Sequence, residues 1–328
     1  MKVCNVLVVG GAGYIGSHMV KSLLDNGSGV VTLDDLSTGY RELVRGGEFY
    51  KGSMNDQALL DKIFSENRIN AVMHFAAYSL VGESVADPLK YYKNNICGTT
   101  GLIRGMLRNG VKKIIFSSTA AVYGEPDETP ITEEHRARPT NPYGATKIAV
   151  ERMLQDCDTA YDLKYVSLRY FNAAGADESG KIGERHEPES HLIPLILKTA
   201  AGERKNISIF GTDYPTPDGT CIRDYIHVND LAKAHSLALE ALVAGRPSAV
   251  YNLGNSKGYS VNEVINIAKR ITGLPISVVE SGRRLGDPAV LIASSDKIKK
   301  ELGWKPQHED LETIISTAWK WHAGRKEN

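Results

Sequence analysis

Residues 10–16 read Gly-Gly-Ala-Gly-Tyr-Ile-Gly and follow directly on an almost wholly apolar run, residues 3–9. A short apolar run closed by glycines is typical of a strand buried on both faces of a parallel sheet. Gly10, Gly13 and Gly16 permit a tight turn and let a pyrophosphate approach the amide groups that open the next helix. This spacing therefore predicts the first turn of a dinucleotide-binding unit.

An acidic pair indicates which dinucleotide this unit binds. The helix after the glycines is expected to end near Asn26, and a second apolar strand, residues 29–33, would carry Asp34 and Asp35 at its carboxyl end, 21 residues beyond Gly13. A carboxylate there hydrogen-bonds ribose hydroxyls and repels a 2′-phosphate. The order strand, glycines, helix, strand and acid predicts NAD as the cofactor in preference to NADP.

Alternating strand and helix patterns continue through the first half of the chain. We expect strands near residues 49–50, 71–75, 113–118 and 164–169, and helices over residues 57–67 and 87–108. With right-handed crossovers, this alternation predicts an α/β fold, a Rossmann-type doubly wound parallel sheet followed by a smaller C-terminal α/β substrate lobe. The predicted domains are residues 1–170, which would also receive the segment around 222–250, and residues 171–328.

The charge balance and the cysteines exclude several classes of function. The 328-residue chain carries 39 Lys plus Arg against 39 Asp plus Glu, so no net field attracts nucleic acid or an anionic membrane. No stretch approaches the roughly 18 consecutive apolar residues of a membrane span, and the first apolar run ends in glycines and not in an export cleavage site. We therefore expect a cytoplasmic protein. The four cysteines form no Cys-x-x-Cys pair, which predicts free thiols and no metal site.

Tyr143 and Lys147 are the side chains best suited to acid–base chemistry. They stand four residues apart in the first turns of a predicted helix that Pro142 opens, so both face the same way. An ammonium near a phenol favours the phenolate, and the pair would then supply a base near neutral pH. A solvated helix face with one packed ring is the alternative for this pair taken alone.

Seven short motifs, in this order, resemble those of the extended short-chain dehydrogenase/reductases. They are Gly10 to Gly16, Asp34, His74 to Ala77, Asn94-Asn95, Ser117-Ser118-Thr119, Val122-Tyr123-Gly124 and Tyr143 to Lys147, and the resemblance covers essentially the whole chain. It implies that Tyr143 is the general base, that Lys147 lowers its pKa and holds the nicotinamide ribose, and that Thr119 hydrogen-bonds the sugar hydroxyl being oxidised. The implied cofactor contacts are Gly10, Gly13, Tyr14, Ile15, Gly16, Asp34, Asp35, Ser53, Met54, Phe75, Ala76, Ala77, Asn94, Ser117, Tyr143, Lys147 and Tyr170.

Three residues of these motifs have competing interpretations. Thr119 would also serve as the cap of a strand end. Tyr123 lies close enough in sequence to Tyr143 to compete as the catalytic phenol, but no Lys follows it at four residues, so we interpret it as a pocket wall. His74 follows apolar residues and is expected to be packed and not catalytic.

Ala120 and Ala121 separate this chain from one branch of that family. The nucleotide-sugar dehydratases of the superfamily carry an Asp-Glu pair directly after the equivalent of Thr119, because the elimination of water needs an acid and a base. Two methyl groups cannot transfer those protons. Dehydration is therefore not expected, and chemistry at a single carbinol carbon is favoured.

The run from Gly211 to Val228 begins with turn residues and then places Arg223 beside alternating apolar residues. An arginine there binds a phosphate or pairs with Asp224 or Asp230, and spacing alone leaves both open. With Tyr170-Phe171-Asn172 and the later Arg283 to Asp287, this run is similar to that of the UDP-glucose 4-epimerases. The substrate contacts that this similarity implies are Thr119, Tyr143, Asn172, His191, Leu192, Phe210, Arg223, Tyr225, Arg284 and Asp287.

Four positions depart from the commoner pattern of those enzymes. Ser53 replaces an acid at the adenine, Ser79 replaces a lysine near the cofactor, and His191 replaces an asparagine at the diphosphate. Leu291 stands where a bulky tyrosine restricts some epimerases to simple hexoses. We therefore expect that the N-acetylated pair, UDP-GlcNAc and UDP-GalNAc, is also accepted.

The similarity implies reversible C4 epimerisation of UDP-hexoses through a transient 4-keto sugar and tightly bound NAD. UDP would be held firmly while the hexose turns between two hydride transfers. Two alternatives stay open: epimerisation of another nucleotide sugar such as UDP-glucuronate, and a non-catalytic NAD-sensing protein on the same fold. The resemblance also implies a homodimer formed through the helices of residues 87–108 and 143–161, with no nucleic-acid or membrane partner.

Overall fold

The apolar run ahead of the glycines forms a strand in the interior of the larger sheet. The structure, a computed structural model, describes residues 4–284 and 287–325. Within those residues the strands are Asn5–Val9 (β1), Gly29–Asp34 (β2), Glu48–Lys51 (β3), Ala71–His74 (β4), Lys113–Ser117 (β5), Lys164–Tyr170 (β6), Asn172–Ala174 (β7), Ile207–Phe210 (β8), Ile222–His227 (β9), Ala249–Leu253 (β10), Gly258–Ser260 (β11), Val278–Ser281 (β12) and Val290–Leu291 (β13).

The helix after the glycines and the helices predicted over residues 57–67 and 143–161 begin and end close to the predicted residues. In the described chain the helices are Tyr14–Asp25 (α1), Gln57–Glu66 (α2), Val81–Ala86 (α3), Pro88–Tyr91 (α4), Thr99–Arg108 (α5), Pro142–Tyr161 (α6), Leu192–Ala200 (α7), Val228–Val243 (α8), Val261–Thr272 (α9), Asp296–Leu302 (α10) and Leu311–Gly324 (α11). A π-helical segment at Tyr92–Gly98 joins α4 to α5, and short 3₁₀ turns lie at Arg41–Leu43 and Ala120–Val122.

The first of two units contains the residues up to Gly124, Arg136–Arg169 and Ala232–Tyr251. Its sheet has the strand order β10-β6-β5-β4-β1-β2-β3, and the pairings that join β1 to β6 are all parallel. β1 lies between β2 and β4, so the order of the strands reverses at β1. Doubly wound sheets bind ligands beyond the carboxyl ends of the strands at such a point. The predicted Rossmann-type sheet is confirmed.

The predicted helix over residues 87–108 differs in detail. It is divided into α4, the π-helical segment and α5, and α3 precedes it without having been predicted. Asn95 lies inside the π-helical segment, and its amide hydrogen-bonds both the N–H and the carbonyl of Tyr78. These tertiary hydrogen bonds hold the widened turn, and a pattern of apolar residues does not reveal them.

The second unit contains Glu125–His135, Tyr170–Leu231 and the residues from Asn252 onward. A small sheet has the order β11-β9-β13, with β7 also paired to β9, and β8 pairs with β12 in parallel. Apolar side chains of α7, α9 and α11 pack together in its core. The predicted smaller α/β lobe is confirmed.

None of the helices in the described part of the chain combines the length and the hydropathy needed to cross a lipid bilayer.

Candidate active site

The turn at the three glycines fits a dinucleotide. Gly13 is the N-cap residue of α1 with an ordinary φ of −77°, and a Cβ placed on it would meet, among the described residues, only the Gly10 oxygen at 3.5 Å. The fold therefore leaves room for a side chain at position 13. The presence of glycine there is explained by a ligand that approaches the backbone from outside the fold. Within the described chain, α1 has no side-chain cap and no acid in its first turn, so its N–H groups suit a pyrophosphate.

Asp34 is tied to the same turn. Its carboxylate accepts the N–H of Ala12 at 2.9 Å and the N–H of Leu36 at 2.8 Å. Burial raises the pKa of Asp34, and these two hydrogen bonds oppose the rise. The carboxylate is thus fixed beside the glycine turn, where an acid that binds ribose would be needed. Asp35 is exposed and accepts the N–H of Ser37 at 2.9 Å.

The other predicted cofactor residues lie at several places in the chain. Ala76 contacts the glycine turn directly, because its nitrogen would lie 2.5 Å from a Cβ on Gly10. The ring of Phe75 lies 4.9 Å from the ring of His235, and the amide of Asn94 donates to Asn95 at 3.1 Å. Tyr14 and Met54 are buried, Ile15, Ser53 and Ala77 are half-buried, and Tyr170, the last residue of β6, is also half-buried.

α6 begins at a close contact with the turn after β5. Its N-cap residue, Asn141, accepts the N–H of Gly144 at 2.9 Å, and Pro142 occupies the first helical position. A Cβ on Gly144 would stand 2.4 Å from the Ala121 oxygen. Only a glycine at position 144 allows the helix to approach that carbonyl so closely, and this approach places the adjacent Tyr143 near Thr119.

Tyr143 and Lys147 share one buried face of α6, as predicted, and the alternative of a solvated face is wrong. The hydroxyl of Thr119 hydrogen-bonds Tyr143 and also accepts the N–H of Ala121 at 3.2 Å. Thr119 is therefore both a partner of the phenol and a cap. Lys147 Nζ donates to the Ser117 carbonyl at 2.7 Å and lies 5.9 Å from the centre of the Tyr143 ring.

The predicted lowering of the Tyr143 pKa by Lys147 is not observed in the protein alone. Burial raises the pKa of Tyr143, and the hydrogen bond with Thr119 opposes that rise. Burial lowers the pKa of Lys147 to about 7, against the opposing effect of the Glu151 carboxylate. The ammonium is thus itself destabilised by desolvation, and it is directed at a carbonyl instead of the phenol.

A buried ion pair between Arg169 and Glu151 lies beside Lys147 and was not predicted from the sequence. The guanidinium of Arg169 makes three hydrogen bonds to Glu151, from Nε at 3.0 Å and 3.2 Å and from Nη2 at 2.5 Å, and one to the hydroxyl of Tyr123 at 2.9 Å. The hydroxyl of Ser118 also donates to Glu151 at 2.5 Å. Tyr123 is 2% exposed, and its interpretation as a pocket wall stays a prediction. The available signal was the spacing of Glu151, four residues beyond Lys147 on the same helix face.

Three of the predicted substrate residues of the second unit, Asn172, Arg223 and Tyr225, lie on its small sheet. Arg223 and Tyr225 belong to β9, and the register pairs Tyr225 with Asn172 of β7 and Arg223 with Leu291 of β13. Asn172 donates to the carbonyl of Asp224 at 2.8 Å. The parallel neighbours of β9 thereby bring three separate stretches of sequence together.

Arg223 forms an ion pair with Asp287. Its partner is therefore neither Asp224 nor Asp230, the two acids considered from the sequence. Asp224 is buried and accepts the N–H groups of three residues, Asn255, Ser256 and Ala293. Asp230 likewise accepts backbone N–H groups from residues 307 and 308.

The guanidinium of Arg284 lies 3.8 Å from the centre of the Phe210 ring, which is a cation–π contact. Of the stretch from Arg283 to Asp287, Leu285 and Gly286 lie outside the described residues. Tyr225 is buried, and burial raises the pKa of its hydroxyl. These residues offer a cation and an aromatic face for recognition of an anionic nucleotide.

His191 and Leu192 lie where α7 begins, next to a compact group of ionisable side chains. His191 Nδ1 is 2.8 Å from Glu184 and 3.1 Å from Glu189, and His186 Nδ1 is 3.2 Å from Glu184. Burial by itself raises the pKa of Glu184, but the two neighbouring histidines lower it overall. Burial by itself lowers the pKa of His191, and Glu184 and Glu189 raise it overall. Leu192 is half-buried against the core of the second unit.

Comparison with known proteins gives a consistent result. Residues 6–254 match the profile of the NAD dependent epimerase/dehydratase family. The chain is 56% identical over 317 residues to a UDP-glucose 4-epimerase of Halalkalibacterium halodurans, which covers 97% of this chain and 95% of the relative. A solved UDP-glucose 4-epimerase from Brucella ovis, in complex with NAD, is 48% identical with a TM-score of 0.95 and covers 97% of this chain and 98% of that one. The solved UDP-glucose 4-epimerase from Bifidobacterium longum, in complex with NAD⁺ and UDP, is 41% identical with a TM-score of 0.93, covering 98% and 99%.

Proposed function

The chain belongs to the NAD dependent epimerase/dehydratase family, and from this premise we propose that it interconverts UDP-glucose and UDP-galactose by inverting C4 of the hexose. The observation that supports this proposal most is the buried group formed by Thr119, Tyr143 and Lys147 at the end of β5 and the start of α6. Ala120 and Ala121, which cannot act as acid and base, favour epimerisation over dehydration.

NAD is the cofactor. When bound, it would supply a hydride acceptor and donor for C4 and a positive charge that would favour the Tyr143 phenolate. The glycine turn and the N-terminus of α1 would receive its pyrophosphate, and Asp34 its adenosine ribose. Lys147 would hold the nicotinamide ribose. The remaining cofactor contacts predicted from the sequence stay predictions.

Tyr143 would act as the general base. Its phenolate would take the proton of the C4 hydroxyl as the hydride leaves, giving a 4-keto sugar, and would return the proton after the hexose has turned. Thr119 would hydrogen-bond the same sugar oxygen. The hydrogen bond from Thr119 already favours the phenolate, and this partly offsets the effect of burial on the pKa of Tyr143.

Residues of the second unit would hold the UDP. Arg223 and Arg284 supply positive charge for the diphosphate, Phe210 an aromatic face for the base, and Asn172 and Asp287 hydrogen-bonding groups. Tight binding of UDP with few contacts to the hexose would allow the sugar to turn. The diphosphate contact of His191 and the contacts of Leu192 and Tyr225 stay predictions.

The proposed function is tested with purified protein and UDP-galactose, without added NAD. We expect UDP-glucose to form, because the cofactor is regenerated in every turnover. Tyr143→Phe should lower kcat by roughly two to four orders of magnitude, the usual contribution of a general base. Tyr165→Phe is the matched control, since Tyr165 and Tyr143 are both 8% exposed and the change removes the same hydroxyl.

Other results would point to the alternatives. Conversion of UDP-glucuronate but not of UDP-galactose would identify another nucleotide-sugar epimerase. Bound NAD without turnover of any UDP-sugar would favour the sensing protein. Near-normal turnover by Tyr143→Phe with NAD bound would exclude this residue as the base.

We further propose that the N-acetylated pair of substrates is accepted. Leu291 is the register partner of Arg223 in the neighbouring strand, which supports a position beside the proposed UDP-binding residues. Leucine leaves more space than tyrosine. Leu291→Tyr should therefore lower kcat/KM for UDP-GalNAc at least about 10-fold, with little change for UDP-galactose. Negligible turnover of UDP-GalNAc by the unmodified enzyme would contradict this proposal.

A homodimer in the cytoplasm is the proposed state of the enzyme. Five large apolar side chains on α3, α4, the π-helical segment and α6 are exposed: Val81 by 46%, Val85 by 64%, Leu89 by 77%, Tyr92 by 43% and Tyr161 by 54%. A second copy of the chain would cover them. The four cysteines are all free, which suits a reducing compartment.

A further inference from the structure

Residues 184–191 place four ionisable side chains around one point. Glu184, His186, Glu189 and His191 each direct one ligand atom inward, and these four atoms all lie within 4.8 Å of one another. The side chains of Glu184 and Glu189 are only 7% and 3% exposed. A pair of buried carboxylates facing two imidazoles is costly unless a cation or protons compensate the charge.

The distances between the donor atoms suit a small metal ion. His186 Nδ1 lies 3.2 Å from Glu184 Oε1 and 3.8 Å from Glu189 Oε2, and His191 Nδ1 lies 3.1 Å from Glu189 Oε1. Metal–nitrogen and metal–oxygen bonds of about 2.0–2.2 Å in a tetrahedron place neighbouring donors roughly 3.3 Å apart. The observed separations need only small side-chain movements to reach that arrangement.

Hydrogen bonds from backbone N–H groups and from an indole hold two members of the cluster in place. The backbone N–H groups of Ser190 and His191 donate to Glu189 Oε1 at 2.8 Å and 2.9 Å. The indole of Trp321, on α11, donates to the carbonyl of Glu184 at 2.9 Å. Such outer contacts orient the ligands in metal sites, and an ion pair on an exposed loop does not require them.

We propose that Glu184, His186, Glu189 and His191 bind one zinc-class divalent transition-metal ion that fastens residues 184–191 at the start of α7. Two imidazole nitrogens with two carboxylate oxygens suit Zn²⁺ and its neighbours, whereas Mg²⁺ and Ca²⁺ prefer all-oxygen sites and Cu⁺ prefers sulfur. Four protein ligands fill a tetrahedral ion, so the ion is structural and takes no part in hydride or proton transfer. This proposal differs from the expectation of no metal site, which considered only cysteine spacing.

Zinc content and affinity test the proposal. Untagged full-length protein, stripped with a chelator and dialysed, is titrated with ZnCl₂ by calorimetry and then gel-filtered for elemental analysis. We expect one zinc per chain. His186→Ala and Glu189→Gln should each weaken binding by at least about 100-fold, since loss of an outer-shell partner alone typically costs 10–100-fold. His322→Ala is the matched control, because His322 pairs with Glu203 at 3.1 Å in the same unit outside the cluster.

X-ray absorption of the zinc-loaded unmodified protein gives a readout that does not depend on the folding of any variant. We expect only nitrogen and oxygen at about 2.0–2.2 Å around the zinc. Sulfur in that shell would mean binding at a free cysteine and would overturn the proposal. Failure to bind one zinc, or equal binding by His186→Ala, Glu189→Gln and His322→Ala, would show that the cluster is an ion-pair network only.

Discussion

Tyr143, Lys147 and Glu151 stand at successive turns of α6 and all face inward. Burial dominates the protonation of the first two, because it raises the pKa of the phenol and lowers that of the ammonium. Glu151 opposes the second effect, and its own charge is balanced by Arg169. A residue four positions from Lys147 thus helps to keep the ammonium charged.

His74 shows the same dominance of burial and confirms the prediction that it is packed. Its Nε2 lies 2.8 Å from the hydroxyl of Thr99, which itself donates to a backbone carbonyl, so Nε2 carries the proton. Nδ1 is buried and has no hydrogen-bond partner among the described residues. Burial, with a smaller effect from the charge of Lys147, lowers the pKa of His74 to about 3.

Stability should therefore depend on His74 in mild acid. The folded-state pKa lies below the ordinary value of about 6.5, so the unfolded chain binds the proton first and stability falls as the pH drops below 6.5. Between pH 6.5 and 5 the loss due to this group is up to about 2 kcal/mol, from about 1.4 kcal/mol per pH unit. Urea unfolding of the unmodified protein and of His74→Gln across this range measures it. Parallel pH dependences of the two proteins would contradict the prediction.

Among the elements, the start of α6 connects local sequence to the site. Asn141, Pro142 and Gly144 determine where the helix begins, and Tyr143 lies between them. α11 begins in a similar way, with Asp310 accepting the N–H of Thr313 at 2.7 Å. The two caps differ in that only the first precedes the proposed catalytic residues.

Asn141→Ala and Asp310→Ala should each lower the free energy of unfolding by about 1 kcal/mol, the usual value of an N-cap. Only Asn141→Ala should lower kcat, by roughly 10- to 100-fold, because a small displacement of the helix start misplaces Tyr143. Asn141→Asp, which keeps the capping oxygen, should restore most of the activity. Equal kcat values of the two alanine variants would show that the cap at Asn141 does not affect catalysis. Denaturation curves and initial rates provide both measurements.

For the whole molecule, the proposed homodimer depends on apolar side chains that a single chain leaves exposed. α4 and the π-helical segment pack on α6, and the exposed Val85, Leu89, Tyr92 and Tyr161 belong to this group of helices or to the adjoining α3. The second unit also exposes apolar side chains, including Val279 by 46% on β12. Substitutions in these two regions distinguish an interface from ordinary surface.

Leu89→Glu should convert the proposed dimer to a monomer, because two buried carboxylates would face the interface without partners. Leu89 is 77% exposed in the single chain, so folding of the protomer should be unaffected. Val279→Glu is the control and should remain dimeric. Sedimentation velocity at micromolar concentration distinguishes the two masses. A dimeric Leu89→Glu variant would place the interface elsewhere.

Features that depend on neighbouring residues were determined by the sequence alone. The glycine turn, the alternation that makes the doubly wound sheet, the shared face of Tyr143 and Lys147 and the start of α6 at Pro142 are all present in the structure. Each follows from the 2.0- and 3.6-residue periods of strands and helices or from hydrogen bonds across three residues.

Only the tertiary structure decided which charges meet and which are buried. Arg223 pairs with Asp287, 64 residues away, and not with the nearer Asp224, because Asp224 is taken by backbone N–H groups. Burial, and not the adjacent lysine, dominates the pKa of Tyr143 in the protein alone. Ion pairing and desolvation act over a few ångströms in space, and distance along the chain does not determine that separation.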